Sequence, residues 1–228
     1  MELILKPEII DEVSIEEHLK EKRGRKEVVV IKKKNYKKEN DISYFNEAEI
    51  KKLIIHSKKV FYKFIYTLLF ETGARIEEAR AIRFRDADLL NNKIRIITLK
   101  QRSEGDVVRY IPISNELKAL LLHHKVESEL SNDDFILTQK YGKPAVSRQG
   151  ITIQLKKDCL ESLGIISNVN LHRFRHSRAI FLLNRGVNLV QVQRLLGHSD
   201  IRNTIIYLRY ADKDFENAIH TATNEFYK

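Results

Sequence analysis

Apolar residues recur at helical spacing along most of the chain after residue 45. Asn46 is a favourable N-cap residue, and Ile50, Leu53 and Ile54 follow it on one helix face. The same periodicity, often stopped by a glycine, predicts further helices over 61–72, 76–83, 114–125, 147–163, 172–185, 188–196 and 200–209. A last amphipathic segment covers 212–226. The pattern therefore predicts a mainly helical protein.

Two stretches replace the helical pattern with runs rich in isoleucine and valine. Residues 93–99 and 107–113 are typical of strands, and the Ser-Glu-Gly-Asp sequence between them is typical of a hairpin connection. Shorter runs at 28–31 and 134–138 predict two more short strands. We therefore expect an α+β fold that is mainly α with a small antiparallel β-sheet.

The distribution of charge separates the first 43 residues from the rest. Residues 1–19 carry one lysine against six acids, whereas residues 20–38 carry ten Lys or Arg against two acids. We interpret 1–43 as a charged arm or small appendage, because independent domains usually begin at about 50 residues. A basic arm along nucleic-acid phosphates and a solvated tail are both consistent with this composition. The main domain is expected to span 44–211.

The composition narrows the class of partner and the cellular environment. The 41 Lys and Arg against 31 Asp and Glu give a net charge of +10, which favours a polyanionic partner such as nucleic acid. The single cysteine, Cys159, excludes a disulfide framework and a cysteine zinc site and fits an intracellular, cytoplasmic protein. Apolar runs such as 64–70 are too short for a membrane span, and the amino terminus lacks a signal-peptide core.

Two segments carry cations in positions that suit an anion site. Arg75 follows a Thr-Gly-Ala turn at the start of a predicted helix, where its charge opposes the helix dipole and so favours an anionic partner. His172, Arg175 and His176 share one face of the predicted helix 172–185. An exposed surface arginine and a solvated helix face are the plain structural alternatives.

A third segment combines a glycine turn, a histidine and a tyrosine. Gly197 ends the predicted helix 188–196, and His198 stands on the turn. Tyr207 follows nine residues later on the next predicted helix, and the short connection can bring both side chains into one site. A tyrosine on an amphipathic helix is more often a core residue with its hydroxyl at the rim. The whole string is more specific than the tyrosine alone.

These motifs, in this order, resemble the catalytic domain of the tyrosine recombinase family, which includes phage integrases and chromosome-dimer resolvases. The family's first arginine falls on Arg75, within Thr-Gly-Ala-Arg-Ile-Glu-Glu-Ala, and its acidic helper falls on Glu78. Its His-x-x-Arg box falls on His172 and Arg175. The resemblance covers roughly residues 44–210.

The resemblance extends to the end of the predicted hairpin and to the third segment. The Leu-Gly-His motif of the family ends on His198, and its nucleophile falls on Tyr207. The active-site lysine of the family falls on Lys100, just after the first strand of the predicted hairpin. Arg109 and Pro112 resemble the family's pattern at the end of the second strand. The chain departs from the family here, because the hairpin is longer than usual and the glycine beside the lysine is absent.

The resemblance implies a site-specific DNA recombinase that cuts and rejoins strands through a 3′-phosphotyrosyl intermediate, with no metal or other cofactor. The catalytic residues that it implies are Arg75, Lys100, His172, Arg175, His198 and Tyr207. The arginines and His198 would hold the scissile phosphate, and the lysine would protonate the departing 5′ oxygen. Tyr207 would attack, with His172 as the candidate base. The adjacent His123 and His124 are expected on the surface.

The implied partner is double-stranded DNA, bound by a homo-tetramer on two sites in association with the nucleoid. Residues 212–228 would form a C-terminal helix that is either exchanged between protomers or packed on its own protomer. Two alternatives remain open. A non-cleaving DNA-binding module is suggested by the short segment before residue 44, and relaxation of DNA by a type IB topoisomerase uses similar chemistry.

Overall fold

The computed structural model describes residues 42–98, 107–211 and 223–224, and the backbone of 19–22 and 25–28. The chain divides into two compact units, Met1–Asp41 and Ile42–Lys228.

The first unit contains a short antiparallel hairpin. Strand β1 (Leu19–Lys22) pairs with strand β2 (Arg25–Val28), and Leu19 lies opposite Val28. The predicted strand 28–31 shares only Val28 with β2, and its other residues lie outside the described ranges. The apolar pattern does not predict β1, because Leu-Lys-Glu-Lys lacks the alternation of a half-buried strand.

Helices make up most of the described part of the second unit, as the periodicity predicts. They are α1 (Glu47–His56), α2 (Val60–Thr72), α3 (Ile76–Ala81), α4 (Asn115–Glu127), α5 (Arg148–Leu163), α6 (His172–Asn184), α7 (Leu189–Leu196), α8 (Arg202–Ile205) and α9 (Leu208–Ala211). Among the described residues, no helix combines the length and the hydropathy that crossing a membrane requires.

Helix ends follow the polar and glycine residues that mark them in the sequence. Asn46 accepts a hydrogen bond from the Glu49 N–H at 2.9 Å, and the Glu49 carboxylate accepts one from the Asn46 N–H at 2.9 Å, which completes a capping box. Side chains also cap three other helices: Ser114 for α4, Ser147 for α5 and Asn188 for α7. Left-handed glycines end α2, α5 and α7, namely Gly73, Gly164 and Gly197.

A small antiparallel sheet accompanies these helices, which confirms the expected class of fold. Strands β3 (Ala87–Asp88), β4 (Lys93–Thr98) and β5 (Val107–Pro112) lie in the order β3-β4-β5. Ile96 pairs with Arg109, and both side chains are buried. The two-residue β3 is too short for an alternating pattern to predict it. Residues 99–106 between β4 and β5 lie outside the described ranges.

The strand predicted over 134–138 is wrong. Phe135 forms a single antiparallel bridge with Arg83. The chain then turns, because the Thr138 N–H donates to the Phe135 carbonyl at 3.3 Å. The apolar run therefore supplies one bridge and a buried turn rather than a strand.

The single helix predicted over 200–209 is also wrong. Helices α8 and α9 are separate, and Tyr207 lies in the turn between them. The Tyr207 N–H donates to the Thr204 carbonyl at 3.1 Å, three residues back rather than four. The turn at Tyr207 is therefore tighter than a turn of α-helix, and side chains project from it in different directions. The side chain of Tyr207 is 1% exposed.

The expectation that both adjacent histidines lie on the surface is wrong for one of them. His123 is exposed, but His124 is buried. The His124 Nε2 atom lies 2.8 Å from the Thr138 carbonyl oxygen, and its ring stacks on Phe64 at 5.3 Å. A ring nitrogen with a backbone partner can be buried at little cost.

The core surrounds α2, which packs against α4 and α6. Tyr66 of α2 stacks on Phe174 of α6 at 5.4 Å, and its hydroxyl donates to Asp158 at 2.7 Å. A smaller second cluster joins α6, α7 and the turn before α9; its buried members are Ala179, Ile180, Val192, Leu196 and Tyr207. Leu195 packs against both clusters.

We expect Asn46→Ala to lower the free energy of unfolding by about 1 kcal/mol, because the first turn of α1 loses its side-chain cap. Chemical denaturation followed by circular dichroism measures the change. Asn115→Ala is the matched control, since Asn115 is the exposed first residue of α4 and its side chain makes no hydrogen bond. The control should stay within about 0.5 kcal/mol of the wild type. Equal losses in both variants would contradict the role of the cap.

Candidate active site

Arg175 on α6 is the largest fully buried side chain among the described residues, with 1% of its surface exposed. Its Nη1 donates to the Gly73 carbonyl and its Nη2 to the Leu196 carbonyl, each at 2.7 Å. These carbonyls lie at the C-terminal ends of α2 and α7, where the helix dipoles favour a cation. Burial, and then the charge of Arg75, lower the pKa of Arg175 to about 9, so the group is protonated at neutral pH.

Arg75 is the N-cap residue of α3 and lies two residues beyond Gly73. Its Nη1 donates to Glu78 Oε1 at 3.0 Å, and its backbone N–H donates to Glu78 Oε2 at 2.9 Å. The side chain is 43% exposed, in contrast to the buried Arg175. The guanidinium of Arg75 is therefore partly exposed to solvent, while Glu78 binds its Nη1 and its backbone N–H.

Glu78 also joins the sheet to the site. Arg109 of β5 donates from Nη2 to Glu78 Oε2 at 2.5 Å and from Nη1 to the Thr98 hydroxyl of β4. Glu78 is 3% exposed and Arg109 is 7% exposed. Burial alone raises the pKa of Glu78, but the hydrogen bond from Arg109 and the charges of Arg109 and Arg75 outweigh it, so the pKa lies below the ordinary 4.5.

Gly197 lets the turn after α7 approach this ion pair closely. Its φ is +69°, and a Cβ atom there would lie 2.5 Å from Arg109 Nη1 and 3.0 Å from the Thr98 hydroxyl oxygen. A side chain at this position would therefore collide with the buried guanidinium. The glycine brings His198, the next residue, to the end of the sheet.

His198 and His172 contribute imidazoles to the same region. The His198 Nδ1 atom lies 2.8 Å from the Thr204 hydroxyl oxygen. Burial, and then the charges of Arg175 and Arg75, lower the pKa of His198 to about 3. Although His172 reaches solvent at the start of α6, the surrounding protein and the same arginines lower its pKa to about 4. Both rings are thus neutral at pH 7.

Tyr207 lies beside these groups with its hydroxyl directed at α6. The hydroxyl oxygen lies 2.9 Å from Nδ1 of His176, and the ring stacks on His198 at 6.5 Å with 14° between the planes. Burial raises the pKa of Tyr207, and the charges of Arg175 and Arg75 oppose part of that rise. The phenol is therefore protonated at neutral pH.

The structure thus gathers five of the six residues implied by the resemblance into one electrostatic environment: Arg75, His172, Arg175, His198 and Tyr207. The sixth, Lys100, lies outside the described residues. The helical register with His172 places His176 on the face predicted to suit an anion, but the resemblance gives it no catalytic role.

A cleft opens beside Arg75. It is lined by Arg75, Glu78, Arg148, Asn170 and His172, among others. In the part of the chain that the structure describes, no group of three or more His, Cys, Asp or Glu side chains has the arrangement of a metal site.

Comparison with known proteins identifies the family. Residues 43–214 match the phage integrase family. The chain belongs to this family. Tyrosine recombinase XerA of Saccharolobus solfataricus is 31% identical over 179 residues, which are 78% of this chain and 55% of that protein. The resemblance to tyrosine recombinases is therefore confirmed, and this member of the phage integrase family spans about half the length of that relative.

Solved structures share the fold of this phage integrase family member. A crystal structure of XerA recombinase superposes with a TM-score of 0.66 at 21% identity, over 80% of this chain and 66% of that one. The crystal structure of the XerH recombinase in a post-cleavage complex with its palindromic difH substrate superposes with a TM-score of 0.62 at 22% identity. The match covers 78% of this chain and 52% of that one. The expectation of a catalytic-domain-like fold is confirmed by this similarity.

We expect Glu78→Gln to lower the free energy of unfolding at pH 7 by about 3 kcal/mol, because it leaves Arg109 buried without its anion. The difference between wild type and variant should shrink as the pH falls. The pKa of Glu78 in the folded protein lies below 4.5. The contribution of its carboxylate to the free energy of unfolding is therefore complete above about pH 4.5 and is lost as the pH falls through the pKa of the folded state.

Urea denaturation at a series of pH values between 7 and 3 measures this difference. Glu77→Gln is the matched control on the same helix, because Glu77 pairs with Arg80 at a side-chain exposure of 51%. The control should change stability by less than about 1 kcal/mol. A difference for Glu78→Gln that stayed constant down to pH 3 would show that its carboxylate is not stabilised by the arginines.

Proposed function

We propose that this chain carries the catalytic region of a site-specific DNA recombinase, with Tyr207 as the nucleophile. The observation that carries the proposal is the position of the Tyr207 phenol, buried beside two arginines whose charges act on it. A protonated phenol surrounded by cations and neutral imidazoles suits an incoming phosphodiester better than it suits a structural role.

Arg75 and Arg175 would bind the non-bridging oxygens of the scissile phosphate. A guanidinium has five N–H donors, and Arg175 uses one on each terminal nitrogen for Gly73 and Leu196, so further donors remain. The exposed Arg75 meets the phosphate from the solvent side. Because both groups are already held by protein, they stabilise the charge of the transition state without reorganising.

His198 is suited to donate a further hydrogen bond to the phosphate. If the Thr204 hydroxyl donates to Nδ1, the neutral ring carries its proton on Nε2. One preorganised donor of this kind is commonly worth about 3 kcal/mol in the transition state. Before a phosphate binds, the low pKa of His198, about 3, keeps its ring neutral.

The cleavage step exchanges one phosphate ester for another. The Tyr207 oxygen bonds to phosphorus and loses its proton, while the bond from phosphorus to the 5′ oxygen breaks. We assign protonation of that oxygen to Lys100 and keep His172 as the candidate base. The phosphotyrosyl ester keeps the energy of the phosphodiester bond. The 5′ hydroxyl of a second strand can therefore reverse the step without a metal or another cofactor.

Double-stranded DNA is the proposed substrate, and a tetramer on two sites is the proposed assembly. The net charge of +10 supports a polyanionic substrate, and the related XerH structure holds its difH substrate. Residues 212–228 are the segment proposed for exchange between protomers. The first unit, with its basic sequence at 20–38, is proposed to follow the DNA backbone.

We expect the wild-type protein to form a covalent adduct with a nicked suicide duplex, seen as a slower band on a denaturing gel. Sites would first be selected by binding from a random duplex pool. Tyr207→Phe should abolish the adduct because the attacking oxygen is gone. Tyr210→Phe should retain it, since Tyr210 lies three residues on and its hydroxyl accepts from the Ile42 N–H at 2.7 Å.

Absence of an adduct with the wild type on its selected sites would support a non-cleaving DNA-binding module instead. An adduct that survives Tyr207→Phe but not Tyr210→Phe would move the nucleophile. Relaxation of supercoiled DNA by a monomer, without pairing of two sites, would favour the topoisomerase alternative.

DNA affinity should fall steeply with salt, because each neutralised phosphate releases counterions. A plot of log Kd against log salt, measured by fluorescence anisotropy, gives the number of contacts. Arg75→Ala should reduce the slope by about one, the value for a single phosphate contact. A flat plot for the wild type between low and moderate salt would contradict a backbone-binding surface.

A further inference from the structure

We propose that His176 is a further catalytic residue, which orients the Tyr207 hydroxyl for attack by accepting its hydrogen bond. The inference rests on the proposed function, since it assigns a role within the same site. It concerns a residue that lies one position beyond Arg175 on α6 and to which the resemblance gives no role.

The contact between the two side chains is close and sheltered. The Tyr207 oxygen lies 2.9 Å from His176 Nδ1, although the residues are 31 positions apart in the chain. Tyr207 is 1% exposed, so solvent water is a poor substitute for this partner. His176 is half-buried, and its ring meets that of His172 edge-on at 4.5 Å. The ring of His172 therefore packs against the His176 imidazole, and the His176 imidazole in turn holds the Tyr207 hydroxyl.

In the described part of the chain, the Tyr207 hydroxyl is hydrogen-bonded to His176 rather than to Arg175 or His198. Both terminal nitrogens of Arg175 donate to backbone carbonyls, and the Nδ1 atom of His198 is engaged with Thr204. The His198 ring instead lies parallel to the face of Tyr207. Stacking of this kind limits the tilt of the phenol, whereas a hydrogen bond at the end of the ring sets where its oxygen lies.

The direction of the hydrogen bond follows from the protonation states of the two groups and the tautomer of His176. Burial, and then the charges of His172 and Arg175, lower the pKa of His176 to about 4, so the imidazole is neutral. The phenol is protonated, since burial raises the pKa of Tyr207. With the proton of the neutral ring on Nε2, Nδ1 accepts and the phenolic O–H donates. The hydroxyl proton then points towards His176 and the oxygen lone pairs point away from it, while His172 remains the candidate base that removes the proton on attack.

The orientation of a nucleophile controls its rate of attack. A misplacement of about 1 Å can cost about 100-fold in rate. His176→Ala should therefore slow single-turnover adduct formation by about 100-fold while DNA affinity stays at the wild-type value. His176→Asn keeps a hydrogen-bond acceptor two bonds from Cβ, where Nδ1 stands in histidine, and should recover most of the lost rate.

A second measurement reports on the hydrogen bond without DNA. In protein labelled with ¹³Cζ-tyrosine, the resonance of Tyr207 among the nine tyrosines is the one lost in Tyr207→Phe. His176→Ala should shift this resonance, and His176→Asn should return it towards the wild-type position. His123→Ala is the matched control, because His123 is exposed on α4. It should leave the resonance and the rate unchanged.

The outcomes separate this inference from the proposed function. If the wild type forms its adduct and His176→Ala changes neither the rate nor the Tyr207 resonance, the inference is overturned and the proposed function stands. A slow alanine variant that asparagine does not rescue also overturns it, because the loss would then come from packing. If the wild type forms no adduct, the proposed function fails, and the resonance still tests the hydrogen bond.

Discussion

The buried guanidinium of Arg175 is the constraint on which the rest of the site depends. Burying a cation is costly without hydrogen-bond partners, and Arg175 finds two of them at the carbonyls of Gly73 and Leu196. Arg75 follows the first carbonyl by two residues, and His198 follows the second by two. One side chain on α6 therefore fixes the relative positions of two other segments. Removing it would separate groups that are far apart in sequence.

An ion-pair cluster centred on Glu78 lies beside this arrangement. The Glu78 carboxylate receives hydrogen bonds from both Arg75 and Arg109, and Arg109 also contacts Thr98 on the neighbouring strand. Gly197 lets the turn after α7 reach this pair. One carboxylate is shared by two arginines while Arg175 rests on neutral carbonyls. The local charge is therefore positive, which suits a phosphate and adds to the burial that lowers the pKa values of the nearby histidines.

Much of the fold could be predicted because local chemistry sets the helix ends. Asn46 and the left-handed glycines mark boundaries that the structure keeps to within a residue or two. The failures occur where a tertiary contact outweighs the periodicity. His124 looks solvated until the Thr138 carbonyl supplies its partner. The run 200–209 looks like one helix, but burial of Tyr207 goes with a tighter hydrogen bond that the pattern of side chains does not encode.

The residue types of the site could be predicted from the sequence, but the burial of Arg175 and Tyr207 could not. Spacing aligns His172, Arg175 and His176 on one face, yet it does not reveal that the arginine is buried or that Tyr207 reaches the second histidine. That burial has a chemical consequence. The Tyr207 phenol is buried and protonated, and of the two arginines beside it Arg75 shares the Glu78 carboxylate with Arg109 whereas Arg175 binds only neutral carbonyls. Under the proposed function, a bound phosphate would supply the missing anion at the position where the phenol oxygen is already held, so that the substrate itself would complete the reactive arrangement.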